Sequence, residues 1–121
     1  MSVSFTPGNN IAMKIPSHEY AATLHFYRDV LGLKSLARSD SGDTPRFEFG
    51  DKVLWLDKEP GISQAEIWLE IVCDDLDAAA AHLAHHGLQR RDEIEPLPDG
   101  FPGFWIASPS NIIHLVNTDT H

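Results

Sequence analysis

Apolar and polar positions along the chain change period several times, and each change marks an element. Tyr20, Leu24, Tyr27 and Leu31 recur at three- and four-residue steps, the spacing of one helix face. Ser17 stands where an N-cap belongs, and Gly32 can close the helix in a left-handed conformation. A second helix is expected from Asp74 or Asp75, with Leu76, Ala79, Ala80 and Leu83 as its stripe and Gly87 as its end. An alternating segment precedes each helix: Ile11 to Ile15, and Ile67 to Ile71. Three strand-like stretches follow each. The first set is Lys34 to Ser39, Arg46 to Phe49 and Val53 to Asp57. The second is Leu88 to Ile94, Phe104 to Ala107 and Ile112 to Asn117. Turn signals separate them at Asp40-Ser-Gly-Asp, Gly50-Asp51, Pro98-Asp-Gly and Ser108-Pro-Ser-Asn.

The two runs resemble each other, down to the helix endings Leu31-Gly32-Leu33 and His86-Gly87-Leu88. The pattern is βαβββ twice, offset by about 55 to 60 residues. It predicts one α+β domain made of two modules, 4–58 and 65–118, joined by Glu59-Pro-Gly-Ile-Ser-Gln64.

Alternation also predicts which side chains share a sheet face. Ile11, Met13, Ile15, Leu54, Leu56, Ile67, Leu69, Ile71, Ile113 and Leu115 form aliphatic faces suited to lie under the helices. The opposite faces carry Asn10, Lys14, Trp55, Trp68, Glu70 and His114. A surface with two tryptophans and a few polar groups suits the lining of a ligand cleft. An outer sheet face or a dimer contact is the alternative.

Composition narrows the possibilities. The chain has 121 residues and one cysteine, Cys73, so it forms no internal disulfide, which fits a reducing, cytoplasmic compartment. Its N-terminus lacks the pattern of a signal peptide, and no apolar run matches a membrane span. The net charge of -9 opposes a phosphate backbone and argues against nucleic acid as a partner.

At three places the chain resembles the vicinal oxygen chelate superfamily, which includes glyoxalase I, extradiol dioxygenases and bleomycin-binding proteins. The segment Leu24-His-Phe-Tyr-Arg-Asp-Val-Leu-Gly-Leu33 is similar to the family's FYxxVLG helix end. Asp74 and Asp75 stand at the opening of helix two. Ser108-Pro-Ser-Asn-Ile-Ile-His-Leu-Val116 resembles the ending DPxGNxIEL, with Ser108 for Asp and one Gly missing before Asn111.

The resemblance implies paired βαβββ modules forming a curled mixed sheet around a cleft, and a homodimer. In the family's enzymes four inward residues hold a metal. The matching positions here are Asn10, Trp55, Trp68 and His114, and tryptophan is not a ligand. The expectation is therefore a site with no metal and no cofactor. Trp55 and Trp68 would face each other and sandwich a planar or cationic small molecule.

Asn10, Lys14, Trp55, Trp68, Glu70, Trp105 and His114 are the expected ligand-binding residues. The alternative is an enzyme with a degenerate site, in which His114 is the general base and Glu70 assists. A third reading is an interaction module whose aromatic face is a dimer contact. Lys14 is expected to pair with Glu70 across the cleft, or else to hold an anionic group. Phe101, Phe104 or Trp105 would add an aromatic wall from the loop that begins at Pro96. His82, His85 and His86 are read as a solvated helix face, although His82 and His86 have a spacing that can bind zinc. His18 and His25 are read as surface residues, Cys73 as core, and Arg90 and Arg91 as exposed.

Overall fold

In the computed structural model, which describes residues 3–36 and 44–118, the alternating segments become strands and the periodic ones helices. The elements are β1 (Phe5–Pro16), α1 (Ser17–His25), a π-helical turn (Phe26–Val30), β2 (Arg46–Phe49) and β3 (Lys52–Glu59). They continue as β4 (Glu66–Cys73), α2 (Leu76–His85), β5 (Gly103–Ala107) and β6 (Ile113–Asn117). The class is α+β, as expected.

The chain divides into two units. The first is Asn9–Trp68, and the second takes the described part of Met1–Gly8 and Leu69–His121. The division passes through β1 and β4 rather than through the segment Glu59 to Gln64. Within each unit the same pairing recurs. In the first, β1 runs parallel to β3 and β2 antiparallel to β3. In the second, β4 runs parallel to β6 and β5 antiparallel to β6. Parallel neighbours need a crossover, and each unit's helix lies on one.

The first strand expected after each helix is reduced to a single bridge, Ser35 to Phe47 and Arg90 to Ile106. Residues 37–39 of the first stretch, and the Asp40-Ser-Gly-Asp turn, lie outside the described residues. In the second stretch a turn intervenes: Ile94 N donates to Arg91 O at 3.0 Å. Asp92 Oδ1 accepts from Trp105 N at 3.1 Å, in place of a strand carbonyl.

Helix α1 starts without the expected cap. Pro16 is its N-cap, with no side-chain hydrogen bond, and Ser17 is the first helical residue. Its far end widens into the π turn, where Leu31 N donates to Phe26 O at 2.9 Å. That wider turn takes Leu31 out of phase with the stripe and leaves it 49% exposed. Tyr20, Leu24, Tyr27 and Leu33 pack on the buried Ile15, Phe47, Leu54 and Leu56. Each large aliphatic or aromatic side chain buried there contributes about 1.5–3 kcal/mol.

Helix α2 is built as expected. Asp75 caps it, its carboxylate accepting from Ala78 N at 3.0 Å. Gly87, at φ 82°, lets the chain turn back so that Leu88 N reaches Leu83 O at 3.0 Å and Gly87 N reaches Ala84 O at 2.9 Å. Leu76, Ala80 and Leu83 pack on the buried Cys73, Ala79, Phe104, Ile106 and Val116, together with Val3 and Phe5. Among the described residues no helix is long and apolar enough to cross a membrane.

Candidate functional site

In the first unit the register places Asn10 beside Val53, Ala12 beside Trp55, and Lys14 beside Asp57. Arg46 lies beside Trp55 on the other side. Paired residues share a face, so this is the mixed face that alternation predicts. Lys14 is only 5% exposed. A buried ammonium needs a partner, and Lys14 Nζ lies 2.9 Å from Asp57 Oδ2. It also stands 4.2 Å from the centroid of the Trp68 ring.

The indoles are held by their edges as well. Trp55 Nε1 donates to Asn10 Oδ1 at 2.8 Å, and Trp68 Nε1 donates to Glu66 Oε1 at 3.1 Å. The Arg46 guanidinium carbon is 5.0 Å from the Trp55 ring centroid. Each indole therefore already meets a cation of the protein itself.

In the second unit Glu70, Leu115 and Trp105 form one row across β4, β6 and β5. Glu70 is 8% exposed and Asn117 is 1% exposed. Asn117 Nδ2 donates to Glu70 Oε2 at 2.8 Å. Asn117 Oδ1 is buried without a hydrogen-bond partner among the described residues. Gly8 lies directly against Glu70: a Cβ there would stand 2.6 Å from Glu70 Cδ. Trp105 points its indole N–H at Glu95 O, 2.9 Å away.

His114 departs from expectation. It pairs with Leu69 on one side and Ile106 on the other, and Ile106 belongs to the core beneath α2. His114 therefore lies on the helix side of its sheet, out of phase with Glu70. Its Nδ1 is 2.9 Å from Ile112 O; a carbonyl only accepts, so Nδ1 carries the proton there. The loop before β6 accommodates this phase. Asn111 takes a left-handed φ of 64°, and Ile112 N is held by Ser108 Oγ at 3.2 Å. This short turn starts β6 one position out of phase, and one position inverts every side chain of a strand. Val116 accordingly faces the helix, and Ile113, Leu115 and Asn117 take the other side.

Phe104 also moves from the expected aromatic wall into the core under α2, while Trp105 stays on the Glu70 face. Cys73 is core as read, and burial pushes its thiol pKa up, away from reactivity. Arg90 and Arg91 pair with Asp92 at 2.8 Å and Glu93 at 2.6 Å. His18 and His25 are exposed, and His25 meets Asp29 at 2.9 Å. Among the partners that escaped the sequence reading are Asp57, Gly8 and Asn117. The signal for Asn117 was a polar residue closing an otherwise aliphatic phase of β6.

Comparison with known proteins agrees with this architecture. The family model described as Glyoxalase/Bleomycin resistance protein/Dioxygenase superfamily matches residues 11–111. The Mn(II)-bound glyoxalase from Novosphingobium aromaticivorans is similar in fold, with a TM-score of 0.68 and 20% identity over 98% of this chain. A hypothetical protein from Bacillus halodurans gives a TM-score of 0.62 at 14% identity, covering 98% of this chain and 96% of its own. Homoprotocatechuate 2,3-dioxygenase from Arthrobacter globiformis gives 0.62 at 20% identity, over 97% of this chain. The chain spans only 40% of the glyoxalase and 37% of the dioxygenase. No curated protein sequence matches it.

The four positions implied as metal-holding do not fit a divalent ion. Trp55 and Trp68 offer no ligand atom, Asn10 Oδ1 already accepts from Trp55, and His114 faces the helix side of its own sheet.

Proposed function

The chain belongs to the glyoxalase/bleomycin resistance protein/dioxygenase superfamily, and from that premise we propose that it binds a planar small molecule without a metal. The observation that carries the reading is the gathering of Asn10, Lys14, Trp55 and Trp68 on the mixed face of the first unit. Stacked aromatic contacts contribute about 0.5–1.5 kcal/mol each beyond their burial. With Lys14 and Arg46 already over the indoles, the ligand is recognised as a flat ring system rather than as a cation. The enzymatic alternative needs His114 and Glu70 to work together, and their opposite phases count against it. Exposed Phe26, Val30, Leu31 and Phe49 support the further expectation of a homodimer.

The test is fluorescence quenching of EDTA-treated protein by a planar cation, proflavine, and a planar anion, anthraquinone sulfonate. Each titration is repeated in Trp105→Phe, which separates the signal of the third indole from those of Trp55 and Trp68. Quenching by at least one probe is expected, with affinity falling at least about tenfold in Trp55→Ala and Trp68→Ala, or 1.4 kcal/mol. Binding that appears only after a divalent metal is restored would overturn the reading. So would titrations unchanged in both tryptophan variants.

A further inference from the structure

Helix α2 ends in a group of three histidines that the reading above does not use. His82 and His86 are four residues apart and share a helix face. Their ring centroids are 4.7 Å apart. The Phe5 ring lies against His82, 5.8 Å between centroids. Both histidines line a groove of about 420 Å³ whose other walls are Phe5, Ile71, Leu83 and Leu88. All of these residues belong to the second unit.

Both side chains are exposed, and among the described residues neither forms a hydrogen bond or an ion pair. A neutral imidazole without a partner has a nitrogen lone pair to offer. The pair sits at the C-terminal end of α2, where the helix dipole favours positive charge. The net charge of -9 draws cations to the protein as a whole.

We propose that His82 and His86 chelate a divalent transition-metal ion at the rim of this groove. Two imidazoles at this spacing suit Zn(II), Ni(II) or Cu(II), whereas Mg(II) and Ca(II) prefer oxygen ligands. His85 is three residues from His82, but its ring stands edge-on to His86 with centroids 5.4 Å apart. Among the described residues no group of three or more His, Cys, Asp or Glu is placed to hold a metal. The site is thus a two-donor chelate, and water completes the coordination. It is separate from the tryptophan face, which lies in the other unit, so either proposal can fail alone.

The experiment uses the full chain, untagged and stripped with EDTA, titrated calorimetrically with each metal salt alone. One equivalent of Zn(II), Ni(II) or Cu(II) is expected to bind, and Mg(II) is not. Replacing either histidine, in His82→Asn or His86→Asn, lowers affinity at least about tenfold, and His85→Asn leaves it nearly unchanged. Because the ion bridges one turn of the folded helix, it also raises the Tm of the wild type and not of His82→Asn. All three substitutions are at exposed positions, so the variants keep the fold. Failure of the wild type to bind up to about 1 mM free ion overturns the proposal. So does binding that survives in His82→Asn and His86→Asn, or that is lost in His121→Ala instead.

Discussion

Replacing Gly8 by alanine tests how Glu70 is held. The added Cβ would lie 2.6 Å from Glu70 Cδ, about 1 Å inside the usual carbon–carbon contact of 3.5–4.0 Å. Gly8 has no positive φ, so the backbone itself accepts alanine and the penalty is steric. Two responses are open. If Glu70 stays, overpacking costs about 1–3 kcal/mol. If it swings away, its charged hydrogen bond from Asn117, at 2.8 Å, is lost, which costs about 1.5–3 kcal/mol. Either route gives a loss of about 1–3 kcal/mol for Gly8→Ala. The clash disappears in a Glu70→Ala background. There, alanine at position 8 is neutral or stabilising by about 0.4–1 kcal/mol, because it restricts the unfolded chain. The assay is urea unfolding of the wild type, both single variants and the double variant, with the m-value checked for constancy. The coupling between the two sites is the quantity of interest. A Gly8→Ala protein within about 0.5 kcal/mol of wild type would refute the reasoning. The same penalty in both backgrounds would also refute it.

Two smaller predictions concern the scaffold. Asp75→Ala removes the cap that Ala78 N donates to and should cost about 1 kcal/mol in urea unfolding; Asp75→Asn should retain most of that. Tyr20 donates to Leu56 O at 2.8 Å, and burial, with Asp57 nearby, raises its pKa above the ordinary value. Its folded pKa thus exceeds the unfolded one. The stabilisation is full below the unfolded pKa, about 10, and is lost as pH rises through the folded value. Tyr20→Phe should flatten that alkaline limb and cost about 0.5–1.5 kcal/mol at neutral pH. A stability–pH profile of Tyr20→Phe parallel to wild type above pH ~10 would contradict this.

Much of the architecture was legible because it rests on local chemistry. The stripes Tyr20-Leu24-Tyr27 and Leu76-Ala79-Ala80-Leu83 bury as their spacing demands. The cap at Asp75 and the turn at Gly87 follow from short-range hydrogen bonding. The mixed face of β1 and β3 followed from alternation, because Ile11, Met13 and Ile15 leave only one choice of phase. What depended on partners elsewhere was not legible. The π turn that displaces Leu31 leaves no mark in the apolar spacing, and the reduction of Leu88–Ile94 to a bridge at Arg90 involves Trp105 and Ile106, which lie further along the chain. The cradle of Gly8 against Glu70 joins residues more than sixty positions apart, and nothing local marks it.

The phase of β6 shows why the candidate site was harder to read than the fold. Ile112 and Ile113 are adjacent, so both phases of the strand look apolar. One phase is Ile112, His114 and Val116; the other is Ile113, Leu115 and Asn117. Each contains a single polar residue, and alternation alone does not choose between them. The partners do. In the observed phase Val116 is fully buried among Phe104, Ile106 and Cys73, and Asn117 reaches Glu70. In the other phase the Asn117 amide would enter the apolar core under α2, at about 1–3 kcal/mol, and Glu70 would lose the hydrogen bond from Asn117. The energetics of two neighbours thus decide where His114 goes. With His114 on the opposite phase, Glu70 is met by the Asn117 amide rather than by that imidazole. The same one-residue choice that completes the core therefore turns His114 away from the Glu70 face and counts against acid–base catalysis by this pair.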